Sequence, residues 1–375
     1  MSEGGRSFRA KAFRVVRVAL FPVIVALVFV GILPRIADLG QVWRVITDLS
    51  SSEIAVLVLL ALWNLVTYWP MLVAAMPGLS LGQAAVVCQT STTVAMTVPA
   101  GGAIAVGVSY RMYSSWGFTA GQVALSAMVT FVANMSFKLL LPAISLAALA
   151  ATGAATGDEL PAAVAGVAVF LAAFAVLALA LRSDRFARGI GAVASRVAAP
   201  FLRLAGRPPA PAWGQSAVRF RGRIVGLLRS RGAMVAAAEL VSQLSVFLVL
   251  LAAVRFTGTP ERVVTWAEVL AVFAFVRLAT AMPIVPGNVG IAELGYIGGL
   301  VLAGGSRPQV VAAVIVFRFL TYFAQIPVGG LTYLIWRRRG RWRVAPEERR
   351  EEHAEGTEPA GDAAAGARER EGHPA

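Results

Sequence analysis

The sequence is poor in residues that do covalent or metal chemistry. Cys88 is the one cysteine among 375 residues, which excludes an intrachain disulfide and any thiolate metal cluster. The two histidines, His353 and His373, both lie in a polar tail. The apolar body therefore has no imidazole, which argues against a histidine-ligated metal, a Ser-His-Asp triad or a histidine general base there. No cofactor and no metal are expected. Charged residues make up 14% of the chain, against about a quarter in soluble domains, which argues against a soluble globular protein. A hydrophobic content of 58% argues equally against a disordered one.

The charge that remains is mostly of one sign. The formal net charge is +14, and Lys11 and Lys138 are the only lysines among 34 cations. Residues 1–17 hold five Lys/Arg and one acid, residues 182–231 hold eleven Arg and one acid, and residues 337–343 hold five Arg. The tail 344–375 is acidic, with nine acids against four Arg. The basic excess thus sits in three segments that flank apolar runs. Such clusters orient a membrane protein with its basic loops in the cytoplasm and touch anionic headgroups, so nucleic acid is not the expected partner.

Six runs are long and apolar enough to cross a bilayer core of about 30 Å: Val15–Leu33, Ile54–Met76, Gln122–Ala151, Leu160–Leu181, Ala233–Val254 and Val310–Trp336. The first follows a basic start like a signal peptide, but Gly31-Ile32-Leu33-Pro34-Arg35 offers no small-residue cleavage pattern, so an uncleaved span is expected. With all three basic segments inside, residues 79–120 begin and end on the cytoplasmic side, and residues 255–309 begin and end outside. Both intervals are apolar and neither makes a net crossing. Each is split by a break: Pro99-Ala100-Gly101-Gly102 in the first, and Pro286-Gly287-Asn288-Val289-Gly290 in the second, with Pro283 just before it. Proline blocks a helix interior and glycine permits a turn, so each interval reads as a re-entrant hairpin. Two ordinary spans are the alternative for each.

The expected fold is an all-α polytopic integral membrane protein built of two inverted halves with re-entrant broken helical hairpins. Its expected divisions are a cytoplasmic N-terminus at 1–14, a first half at 15–181 with a re-entrant segment at 81–118, and an Arg-rich cytoplasmic linker at 182–231. A second half at 232–336 follows, with a re-entrant segment at 263–304, then a cytoplasmic, mostly disordered tail at 337–375. Inverted halves with broken helices place a site near mid-membrane, where the breaks meet and line a polar cavity.

Charges within spans are costly and face the bundle interior. At 1.5 Å rise per residue, Arg277, Arg318 and Glu293 reach a similar depth. They fit a cationic pocket for a phosphate, with the two arginines as donors and Glu293 orienting one of them; an internal ion-pair network that binds nothing is the alternative. Asn134 and Lys138 share a helix face, as do Glu239 and Gln243. Depth counting separates Lys138 from Glu239, and a structural role is expected of all four. Arg111 should lie near the cytoplasmic surface, either snorkelling to headgroups or receiving one. The run Gln89-Thr90-Ser91-Thr92-Thr93 coats a passage or binds neighbouring helices. Arg219, Arg221 and Arg223 alternate too quickly for one helix face, so a membrane-surface segment is expected there.

The motif Met282-Pro283-Ile284-Val285-Pro286-Gly287-Asn288-Val289-Gly290-Ile291-Ala292-Glu293 resembles the P-x-x-P-G-G-x-G-x-x-E signature of the lysylphosphatidylglycerol synthase transmembrane, or flippase-like, family. Phe317-Arg318-Phe319-Leu320-Thr321-Tyr322 resembles its arginine-bearing helix. Val98-Pro99-Ala100-Gly101-Gly102 with Tyr110-Arg111 and Gly117 resembles its other broken segment. Asn288 departs from the pattern, which often has a second glycine there. The resemblance covers about residues 10–340 and implies two re-entrant hairpins and lipid handling by Arg111, Glu293 and Arg318. It does not imply lysyl transfer, which belongs to a separate soluble domain. The arginine-heavy, alanine-rich composition resembles proteins of GC-rich bacteria.

The function expected is translocation of an anionic or aminoacylated phospholipid, or a related polyprenyl lipid or glycolipid, across the bacterial plasma membrane, with both termini cytoplasmic. No enzymatic activity is expected. A non-transporting subunit that recruits a lipid- or glycan-modifying enzyme through the Arg-rich loop is the alternative; an intramembrane enzyme on polyprenyl phosphate and a small-solute transporter stand behind it. The expected partner is a membrane phospholipid or glycolipid, with a lipid-modifying enzyme and a second copy of the chain left open.

Overall fold

The computed structural model describes residues 38–98, 101–152, 213–281 and 288–338, with isolated positions between 168 and 189. The expected span Val15–Leu33, nearly all of Leu160–Leu181, the breaks Pro99, Pro286 and Gly287, and the tail after 338 lie outside the described residues. Among the described residues the chain is helical and has no strand.

Four helices start on the same device. Ser50, Ser80, Thr119 and Thr265 each accept a hydrogen bond from the backbone N–H three residues on, and Glu53, Gln83, Gln122 and Glu268 return the bond to the cap. These boxes satisfy donors that a helix start leaves orphaned, which matters where water is scarce. They open α2 (Ser51–Thr67), α4 (Leu81–Thr97), α6 (Ala120–Ala151) and α8 (Trp266–Ala279). A short amphipathic helix, α1 (Leu39–Thr47), precedes α2, and α3 (Trp69–Ala75) continues it. The others are α5 (Gly101–Ser115), α7 (Trp213–Phe256), α9 (Ile291–Leu302), α10 (Arg307–Arg318), a π-turn at Phe319–Phe323 and α11 (Gln325–Arg338).

Four stretches are long and apolar enough to cross a membrane: Ser51–Ala75, Ala120–Ala151, Val218–Phe256 and Arg307–Arg338. They contain the expected crossings at Gln122–Ala151, Ala233–Val254 and Val310–Trp336 and cover all but the last residue of Ile54–Met76. The protein is an all-α membrane protein.

Each expected hairpin is a pair of helices that pack on each other, α4 with α5 and α8 with α9. In the second pair the approach is close because α9 presents glycine: a Cβ on Gly295 would sit 2.9 Å from Val276, and one on Gly299 2.7 Å from Val272. The hairpins are shared between the halves. The first limb of one, α4, packs on α11, the closing helix of the other half. The first limb of the other, α8, packs on α6, the helix that follows the first pair. The opening helices α2 and α7 pack together, where Asn64 donates to Ser245 Oγ at 2.8 Å and the Thr67 and Ser245 hydroxyls meet at 3.1 Å.

One feature departs from the sequence reading. The expected boundary at residue 231 is not a break, because α7 runs without interruption from Trp213 through the Arg-rich residues to Phe256. At 44 residues it is about 66 Å long, roughly twice the bilayer core. Arg219–Arg231 therefore need not share one face: they project around the part of the helix that precedes the apolar run Ala233–Val254. Arg221 there is ion-paired with Asp184.

Candidate functional site

A cavity of about 620 Å³ opens where the hairpins meet. Its wall takes Gly102 from the first break and Asn288 from the second, together with Arg277 on α8 and Arg318 at the end of α10. Gln89, Ser91 and Thr92 line it from α4 and Ser126 and Thr130 from α6, so three of the five residues of the expected polar run coat the space. The other two tie helices: Thr90 meets Thr332 Oγ1 at 3.1 Å, and Thr93 donates to the Gln325 carbonyl at 3.2 Å.

The breaks build this wall through local backbone chemistry. Gly101 lies so close to the end of α4 that a Cβ would meet the Val94 and Ala95 carbonyls, so only glycine fits. Gly102 has open space around it, and its place is at the cavity rather than in the turn itself. In the second break Gly290 has φ +90° and Asn288 φ +53°. Asparagine tolerates this left-handed region, which is how Asn288 replaces the family's glycine. Its Nδ2 donates to the Thr280 carbonyl at 3.1 Å, clasping the two limbs, while its buried Oδ1 has no partner among the described residues.

Glu293 and Arg318 form the core of the site. Glu293 Oε2 accepts from the Gly290 N–H at 2.6 Å, capping α9, and Oε1 accepts from Arg318 Nε at 2.6 Å. The residues are 4% and 9% exposed, so the pair is desolvated. Arg318 also stacks on the Tyr322 ring, 4.5 Å from its centroid, and Tyr322 donates to the Met96 carbonyl at 2.9 Å beside the first break. Tyr322 lies in the π-turn that follows Arg318. Such bulges widen a helix at functional places; here the turn links the arginine to the opposite hairpin.

Arg277 does not join Glu293. Its Nη2 donates to Gln243 Oε1 at 2.8 Å, Gln243 Nε2 donates to Glu239 Oε1 at 2.6 Å, and Asn134 Nδ2 donates to the same oxygen at 2.9 Å. The sequence pairs Asn134 with Lys138 and Glu239 with Gln243 on shared faces, and the structure places them so. The partner of Glu239 is Asn134 and not Lys138; no ion pair joins Lys138 to Glu239 among the described residues. The expected trio of Arg277, Arg318 and Glu293 thus becomes two networks that present their arginines to one cavity.

Arg111 is apart from both. It lies on the exposed side of α5 and does not line the cavity. The sequence reading quoted Thr321 and Tyr322 only as part of the arginine-bearing motif and did not name Gln325; all three line the cavity, from the π-turn and the residues beside it. The one signal for them was their place after Arg318 in the span.

Fold and site together define a helical membrane protein with an arginine-bearing cavity of mixed polar and apolar lining between two helix pairs. The chain belongs to the family described as Lysylphosphatidylglycerol synthase TM region, which it matches over residues 15–329. No curated protein and no solved structure matches the chain at a significant level.

Proposed function

We propose that the cavity receives the phosphate-bearing headgroup of an anionic or aminoacylated phospholipid, or of a related polyprenyl lipid or glycolipid, and passes it between leaflets. The observation that carries this reading is the presence of Arg277 and Arg318, from different helices, on the wall of one cavity bounded by both hairpin breaks. Arginine holds two phosphate oxygens at once through its planar fork. The remaining lining mixes hydroxyls and amides with apolar side chains, which suits a polar head whose acyl chains stay in lipid. In this reading the protein is a carrier and not an enzyme, and it sits in the bacterial plasma membrane with both termini in the cytoplasm. The three arginine-rich segments support that orientation.

The test is lipid movement in liposomes. Purified protein reconstituted with fluorescent phosphatidylglycerol is expected to expose inner-leaflet probe to an external quencher faster than empty vesicles do. Arg318→Lys keeps the charge but loses the fork, and is expected to slow the movement by about tenfold, the worth of one charge-assisted hydrogen bond. Equal rates for wild type, Arg318→Lys and Arg277→Gln would reject the arginines as headgroup ligands.

A further inference from the structure

Among the described residues, the charged side chains on the cavity wall are Arg277 and Arg318, and no acid lines it. The acids of the two broken segments, 81–118 and 263–304, are Glu268 and Glu293, and both cap helix starts. Glu293 also holds Arg318. Glu239 is completely buried, does not line the cavity and is bound by Asn134 and Gln243. A cationic group that enters the cavity therefore meets arginine and no carboxylate to match it.

Five polar residues of the wall offer acceptors. A serine or threonine that gives its proton to its own helix presents only lone pairs to its surroundings. Ser91 donates to the Cys88 carbonyl at 3.1 Å, Thr130 to the Ser126 carbonyl at 3.0 Å and Thr321 to the Phe317 carbonyl at 2.7 Å. Two amides add to these. Gln89 Nε2 donates to the Leu65 carbonyl at 3.2 Å and Asn288 Nδ2 to the Thr280 carbonyl at 3.1 Å, which fixes the direction of both amides. Their oxygens, Gln89 Oε1 and Asn288 Oδ1, are buried and have no partner among the described residues.

We propose that the cavity selects a lipid phosphate diester whose head is a neutral polyol, such as glycerol, inositol or a sugar, and turns away aminoacylated heads. The inference rests on the reading of the cavity as a headgroup site and narrows the heads it takes. The arginines hold the phosphate, and Arg277 keeps a buried Nε donor with no partner among the described residues. The acceptors of the wall take the hydroxyl protons. A neutral hydroxyl is satisfied by one lone pair, whereas an ammonium taken out of water needs a counter-charge that the wall does not supply. A lysylated head carries more ammonium than phosphate charge, so it arrives cationic at a wall whose charged side chains are both arginines. A head with no hydroxyl leaves the buried acceptors unpaired, which also weakens its binding.

The experiment uses the full chain in phosphatidylcholine nanodiscs and compares calorimetric affinities at neutral pH. The reference probe is dihexanoyl phosphatidylglycerol. Dihexanoyl phosphatidylpropanol has the same charge and length without the hydroxyls, and is expected to bind about tenfold more weakly, the worth of one or two hydrogen bonds. Dihexanoyl lysylphosphatidylglycerol is expected to bind weaker than the reference by about tenfold or more. Glycerophosphoglycerol, the same diester without acyl chains, is also expected to bind more weakly; equal binding would make the ligand a soluble polyol phosphate and overturn its assignment to lipid. Thr130→Val and Asn288→Gly each remove an acceptor, and glycine suits the left-handed backbone at 288, where φ is +53°. Each is expected to bring the affinity for phosphatidylglycerol down toward that for phosphatidylpropanol, which stays unchanged; a merely structural role would lower both. Phosphatidylpropanol bound as tightly as phosphatidylglycerol leaves the anion site standing and overturns the polyol selection. Lysylphosphatidylglycerol bound more tightly than the reference overturns it through the charge argument. Binding of none of the probes overturns the cavity reading itself and the proposal with it.

Discussion

Arg318 and Glu293 show what a buried charge demands at the scale of single residues. Each is held by the other, so removing one strands its partner in the interior. Arg318→Met is expected to destabilise the protein by about 3–5 kcal/mol, seen as a lower melting temperature in detergent. The double variant Arg318→Met/Glu293→Met has no stranded charge. It is expected to recover most of that stability while lipid movement stays absent, which separates folding from binding. Both residues were legible in the sequence, because a charge in an apolar span is rare and Glu293 stands beside a Pro-Gly break. The partner of Arg277 was not legible. Counting residues gives a depth along each helix but not the rotation about its axis, and rotation turns Arg277 toward Gln243 instead of Glu293. The same limit hid the contact of Asn134 with Glu239, although the faces bearing them were read correctly.

At the scale of elements, the closest joint is between α4 and α11. Gly329 faces Thr93 and the Gln89 carbonyl so tightly that a Cβ would overlap both. Gly329→Ala is expected to cost about 1–3 kcal/mol through overpacking and to lower the melting temperature, whereas Gly330→Ala, with open space around it, is expected to be near neutral. The split of each apolar interval into two helices that pack on each other was legible from proline and glycine between apolar limbs. Two other elements were not. The π-turn has no sequence signature, since one extra residue in a helical turn leaves the composition of the span unchanged. The start of α7 was obscured by its arginines, whose spacing fits no single amphipathic face. A helix that extends beyond the apolar core carries charge on every side without needing one.

At the scale of the whole molecule, the exchange of hairpin limbs makes the two halves one body. α4 rests on α11 and α8 rests on α6, so each half completes its packing with a helix of the other. A chain cut within Gly206–Pro211 is expected to reassemble: a tagged fragment 1–206 should capture the co-expressed fragment 207–375, and neither should stay soluble in detergent alone. Recovery of either fragment by itself as a stable species would contradict this view of the interface. The cavity is a consequence of the exchange, since it forms where the hairpin breaks are brought together.

Cys88 is a buried thiol on the wall of that cavity and is the only cysteine in the chain. Phosphatidylthioethanol carries a thiol on an anionic phospholipid head. Under mild oxidation in liposomes it is expected to form a mixed disulfide with Cys88, read as one added lipid mass. Excess phosphatidylglycerol should suppress the adduct, and Arg277→Gln/Arg318→Lys should nearly abolish it. An adduct that forms to the same extent without the two arginines would contradict a headgroup site in this cavity.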